Sequence, residues 1–209
     1  IVYFILNSFW FHVPLLCMII VSGMLTTEFE EKTIETVLMQ PVIKWKYLLA
    51  KYVVAIIFTM FLVFILALTS FLFSYTIFGT GDLVVYTNGL TFFEHEDASY
   101  RLICAFFFGS LSLVFFSVVS LALAVLLKES FKTWIVAALF LIVSTVLLKI
   151  DLGSDLWNQL AYFKLNNTWQ YFFDPTINWT AIGVNSIILI GYTLATICLG
   201  LLLFQKKDI

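Results

Sequence analysis

The sequence predicts an all-α protein, a polytopic bundle of five transmembrane helices with one short amphipathic helix between the first two. Three observations carry this. Hydrophobic residues make up 62% of the chain and charged residues 11%, with a mean hydropathy of +1.05. Soluble domains carry about 25% charged residues. The 24 charged residues (11 basic plus 13 acidic) are clustered and leave five charge-free stretches, at residues 1–27, 52–81, 102–127, 133–148 and 175–205. The loops between these stretches alternate between lysine-rich and lysine-poor.

A charge at mid-bilayer costs about 2.5–3.5 kcal/mol on insertion scales, so charge-free gaps mark spans. Backbone groups in lipid must be satisfied within their own segment, so each span is a helix. Transmembrane strands would alternate over about 10 residues. Here Ile, Leu, Val and Phe run unbroken, as at residues 61–68. The spans are set at about residues 1–27, 48–78, 102–127, 132–150 and 178–204 of a single transmembrane domain. The second gap is long and is expected to tilt, or to unwind near Gly79 and Gly81. The fourth is short, and Lys132 and Lys149 can snorkel from its two ends.

Eight of the basic residues (Lys32, Lys44, Lys46, Lys51, Lys128, Lys132, Lys206, Lys207) fall on one side and three (Arg101, Lys149, Lys164) on the other. The eight-lysine side is expected to be cytoplasmic, with the C-terminus inside and residue 1 outside. An outside start, with Ile1 in place of Met, suggests a preceding span beyond this chain. The net charge of −2 and the lack of a basic stripe give no basis for nucleic-acid binding. Cys17, Cys104 and Cys198 lie in three different spans, which argues against a disulfide framework.

The loop after the first span is the most informative segment. Thr27 and Glu30 fit a capping box, which predicts a helix over residues 27–39 with Thr27 as N-cap. Glu28, Glu30 and Glu31 would then sit at the positive end of its dipole. Ile34, Val37 and Leu38 make an apolar face, Glu31 and Glu35 a polar one, and Pro41 ends the helix. Such a helix can rest on lipid or dock on a protein. Its acidic first turn suits a basic or dipolar protein surface better than anionic headgroups.

The run Glu28, Glu31, Thr33, Glu35, Leu38, Pro41, Val42, Lys44, Leu48, Leu49, Lys51 resembles the coupling-helix signature of ABC-2 permeases, the membrane subunits of type V ATP-binding cassette exporters. The ending Phe204, Gln205, Lys206, Lys207, Asp208 also resembles that family's. Two positions depart from the pattern: Lys32 stands where Gly is common, and Val37 replaces a Leu. The resemblance implies a six-span fold of which these are the last five. It also implies a bacterial cell membrane, a second permease copy or homologue beside this one, and a cytoplasmic ABC ATPase docked on Thr27, Glu28, Glu30, Glu31, Thr33, Ile34, Glu35, Val37, Leu38 and Pro41. ATP and Mg would be bound by that partner, and no cofactor by this chain.

Asn7, Phe11 and His12 share a face of the first span above Pro14, and intramembrane polar groups are functional candidates. With Ser144 and Thr145 of the fourth span they form the candidate substrate path; helix packing is the alternative for them. The loop at residues 79–101 holds Glu94, His95, Glu96 and Asp97, which are consecutive, so a solvated loop is expected there and no metal site. The loop at residues 151–177 carries Leu156, Leu160 and Phe163 at helical spacing among Trp157, Tyr162, Trp169 and Tyr171. It reads as a short helix lying in the outer interface or as an aromatic belt. No nucleotide-binding loop, nucleophile triad or paired intramembrane carboxylate occurs, so no catalytic residue is expected. The expected function is the permease subunit of an exporter of apolar or amphipathic substrates such as an antimicrobial peptide, toxin or drug. A lipid or glycan exporter, a membrane-embedded enzyme and a non-transporting assembly subunit are the alternatives.

Overall fold

A computed structural model describes residues 2–39, 43–79, 81–86, 90–148, 153 and 160–206. Five of the described helices are long and apolar enough to cross a membrane. They are α1 (Val2–Glu30), α3 (Lys44–Phe78), α4 (His95–Leu127), α5 (Ser130–Leu147) and α7 (Trp179–Lys206). Between them lie α2 (Thr33–Leu38), the strands β1 (Leu83–Tyr86) and β2 (Leu90–Phe93), α6 (Tyr162–Leu165) and a 3₁₀ segment, η1 (Thr168–Phe173). The chain is thus an all-α polytopic bundle carrying one small hairpin.

Helix α4 is the central element. Of its apolar window 67% is buried, against 17% for α3 and 22% each for α5 and α7. Its small and hydroxylated residues allow this. Ser110, Ser112, Ser117 and Ser120 are buried, and Ser112 and Ser120 return their hydroxyls to carbonyls one turn back, at 2.7 and 2.9 Å. A buried hydroxyl needs such a partner. Ser117 reaches instead across to Thr59 of α3, 2.8 Å away. Such interhelical bonds add to van der Waals packing in a bundle that has little hydrophobic drive in lipid.

At 35 residues α3 is about 52 Å long at about 1.5 Å per residue. It does not unwind inside the span, and ends only at Gly79, whose φ of +70° suits a residue without a Cβ. The loop expected at residues 79–101 is structured. Strands β1 and β2 pair antiparallel, with Leu83 opposite Phe93 and Val84 opposite Phe92. Leu83, Val85 and Phe93 are buried, while Val84 and Phe92 are exposed, the period-two alternation of a half-covered hairpin. Helix α4 then starts at His95, so Asp97 and Arg101 belong to its first turns rather than to a solvated loop.

Candidate functional site

Two regions gather the polar groups singled out in the sequence: the lysine-rich end of the bundle, and a cavity toward the hairpin end.

At the lysine-rich end the ends of five helices meet. Lys51 of α3 donates to Glu28 Oε1 of α1 at 2.6 Å and to the Met24 carbonyl at 3.2 Å. Tyr47 donates its hydroxyl to the other carboxylate oxygen of Glu28. Its ring carries the Lys51 ammonium 5.6 Å from the centroid and stacks on Phe204 of α7 at 6.3 Å. Glu30 accepts the Ser130 backbone N–H at the start of α5, at 2.6 Å, and Ser130 donates its hydroxyl to Thr26 at 2.9 Å. An acidic side chain at a helix N-terminus satisfies an orphan donor and complements the dipole.

Here the structure corrects the sequence reading. Thr27 is not an N-cap. Helix α1 runs on through residues 27–30, and the Thr27 hydroxyl donates back to the Gly23 carbonyl at 2.5 Å. Glu28 and Glu30 therefore sit in the last turn of α1, not the first turn of the short helix. The chain breaks at Lys32, which adopts the left-handed conformation (φ 57°, ψ 14°), and α2 begins only at Thr33. The Thr33 hydroxyl donates to the Glu28 carbonyl at 3.3 Å and ties the two helices across the break.

At Ile34 the apolar face of α2 is turned inward. Ile34 is 2% exposed and packs in a cluster with Val21, Leu25, Leu48, Tyr52 and Phe204. It anchors α2 to this bundle and offers no face to a partner. What α2 presents outward is Glu31, Lys32, Thr33 and Glu35, with Met39 84% exposed at its end. Val37 is half-buried. The Leu38 side chain, Pro41 and Val42 lie outside the described residues.

Beneath the same cluster Tyr52 of α3 lies against Gly200 of α7. A Cβ at position 200 would collide with the phenol, so only glycine admits this approach. The buried Tyr52 hydroxyl has no hydrogen-bond partner among the described residues.

The second region is a cavity of about 210 Å³ between α1, α4 and α5, roofed by α6 and η1. It brings together three of the five substrate-path residues, Phe11, Ser144 and Thr145. Ser144 is buried, donating to the Phe140 carbonyl at 2.7 Å and meeting the Tyr162 hydroxyl at 3.1 Å. Thr145 donates to the Leu141 carbonyl at 2.9 Å. His12 stands edge-on to Phe11, with centroids 5.6 Å apart, and does not line the cavity. The Asn7 side chain lies outside the described residues.

Sequence reasoning missed the roof: Asn166, Asn167 and Gln170 line the cavity with Trp169. Asn167 donates weakly to Gln170, at 3.4 Å, and the buried Asn166 Oδ1 has no partner among the described residues. The described part of the segment read as an interfacial helix or aromatic belt packs onto the bundle. Tyr162 stacks on Phe140 at 5.5 Å and 7°, and Phe163, Leu165 and Trp169 are buried. Leu156 and Trp157 lie outside the described residues. A cluster of asparagines between aromatics reads as surface loop in sequence, and only long-range packing turns it inward.

Beyond the roof, Arg101 holds the hairpin end. It donates to the Phe172 and Asp174 carbonyls at 2.9 and 2.7 Å, and pairs with Asp97 at 2.8 Å. Its guanidinium lies 4.3 Å from the Phe93 ring centroid. Burial lifts the Asp174 carboxyl above its usual range, with Arg101 pulling the other way. Among the described residues no group of three His, Cys, Asp or Glu side chains is placed to hold a metal ion.

Helix lengths, a hydroxyl-lined central helix and capped ends define the class: a polytopic helical membrane protein. The chain belongs to the DUF2705 family of proteins of unknown function, whose model matches residues 3–209. No curated protein and no solved structure matches it.

Proposed function

We propose that the chain is the permease subunit of an ATP-driven ABC exporter of apolar or amphipathic substrates, with α2 as the element that receives a cytoplasmic ATPase. The observation that carries the reading is the break at Lys32. The position where permeases of the resembled family commonly have Gly is the one with left-handed backbone, where Gly is the favoured residue. The chain thus supplies a short helix set off by a sharp corner, bolted to α1, α3 and α7 through Ile34 and Glu28, with a charged outer face. A push on that face would reach three spans at once. The lysine excess at this end supports a cytoplasmic position for it. A second permease copy would complete the path, and ATP and Mg would reside in the ATPase.

Co-purification tests this. The tagged full chain, extracted from its own membrane at low salt, should retain an ATP-binding cassette ATPase. Glu31→Lys combined with Glu35→Lys should release it while the unfolding temperature holds, because both side chains are exposed. An unaltered chain that retains no ATPase, or a reversed chain that still couples hydrolysis to export, removes the reading.

A further inference from the structure

We infer that the cavity between α1, α4, α5 and the α6–η1 roof is a binding site for an uncharged amphipathic ligand carrying an amide or comparable hydrogen-bonding group beside an apolar one. Its size supports this. At about 210 Å³ it exceeds the roughly 150 Å³ of a protein cavity that takes benzene. It is open on one side, so a ligand can enter without unfolding the bundle.

The wall chemistry sets the ligand class. One side is apolar and aromatic, with Phe11, Pro14 and Phe116 among its residues. The roof adds the amides of Asn166, Asn167 and Gln170, and α5 adds the hydroxyls of Ser144 and Thr145. Among the described residues no Asp, Glu, Lys, Arg or His lines it. An ionised ligand would leave water without a counter-charge from these residues, which is strongly unfavourable. A purely apolar ligand would cover the amides without satisfying them. Among the described residues the buried Asn166 Oδ1 has no donor, and Asn167 spends an N–H on a 3.4 Å contact. A ligand that both donates and accepts answers both groups, as a peptide bond or carboxamide does.

Pro14 adds a reason for the cavity to sit here. Its ring removes the N–H that would bond the carbonyl four residues earlier, loosening α1 at the cavity wall. In calling this ligand the transported substrate the inference rests on the exporter reading. Binding itself needs no ATPase.

The test uses the full chain in nanodiscs without any ATPase. Thr145→Cys places a thiol on the cavity wall, and its alkylation by N-ethylmaleimide is followed site by site by mass spectrometry. Three probes that share a phenylethyl group are compared at pH 7: neutral N-acetylphenylalaninamide, anionic N-acetylphenylalanine and cationic 2-phenylethylamine. The neutral probe should slow alkylation of the introduced thiol severalfold and leave the native Cys198 rate unchanged, while the charged pair should protect little. Asn166→Leu should raise the half-protecting concentration about three- to tenfold, the loss of one hydrogen bond. Asn167→Ala reads the neighbouring donor contact, with the same expected shift, if the Leu variant does not fold. Equal protection by all three probes, no protection by any, or protection indifferent to both substitutions in folded protein overturns the inference. Loss of the ATPase partnership would leave this result standing.

Discussion

The polar ties at the two ends of the bundle are arranged in opposite ways, over apolar packing at both. At the hairpin end one buried cation, Arg101, gathers carbonyls from a segment more than seventy residues away. At the lysine-rich end the ties are many and shared: a carboxylate between a lysine and a tyrosine, an acidic cap on α5, an isoleucine under a short helix. A single hub fails as a unit when it is removed. A distributed set loses its members one at a time and can shift without coming apart.

The sharpest way to break this comparison is Arg101→Ala. It strands the buried Phe172 carbonyl and the partly buried Asp174 carbonyl and should cost about 3–5 kcal/mol, from two lost charge-assisted hydrogen bonds, read as a large fall in detergent unfolding temperature. Arg101→Lys should recover little, because an ammonium cannot replace the planar fork. At the other end Ile34→Ala should cost about 2–4 kcal/mol and expose α2 to proteolysis with the five spans intact. An Arg101→Ala loss no greater than that of Ile34→Ala would erase the asymmetry. Gly200→Ala should cost about 1–3 kcal/mol through overpacking against Tyr52. Tyr52→Phe should raise stability by about 1 kcal/mol, because it removes a buried hydroxyl with no partner among the described residues, and should recover part of the Gly200→Ala loss. Lys32→Gly should gain about 1 kcal/mol by relieving a left-handed residue. The smallest effect belongs to Glu35→Ala, within about 0.5 kcal/mol because the side chain is exposed. Urea or thermal titration in one fixed detergent reads the whole series.

The spans are legible in the sequence because charge in hydrocarbon is costly, so the gaps between charges map onto helices almost one for one. Their ends are less so. Helix α4 begins at His95, seven residues before its charge-free stretch, because Arg101 is compensated by carbonyls that no local pattern announces. The start of α2 is misread for a related reason. Thr27 and Glu30 have capping-box spacing, yet inside a continuing helix the same threonine bonds its own previous turn. The signal that matters is the position after Glu31, where Gly is the common residue in the resembled family and Lys32 occupies the left-handed corner. Of the cavity, sequence yields the span residues Phe11, Ser144 and Thr145. It cannot yield the asparagine roof, since docking α6 on α5 depends on Tyr162 meeting Phe140 across the fold.

Arg101 also imposes an order on assembly. It is synthesised 71 residues before the Phe172 carbonyl and 73 before that of Asp174. When α4 enters the bilayer its arginine has Asp97, one turn away, and the Phe93 ring as protein partners, but none of the later carbonyls. Until the chain has been made past Asp174, the guanidinium must stay in contact with water or headgroups. The hairpin end therefore closes late, after α5 is in place and as α7 arrives. A chain interrupted before Asp174 would carry an uncompensated arginine at its membrane edge, a mark by which quality control could tell an unfinished molecule from a finished one.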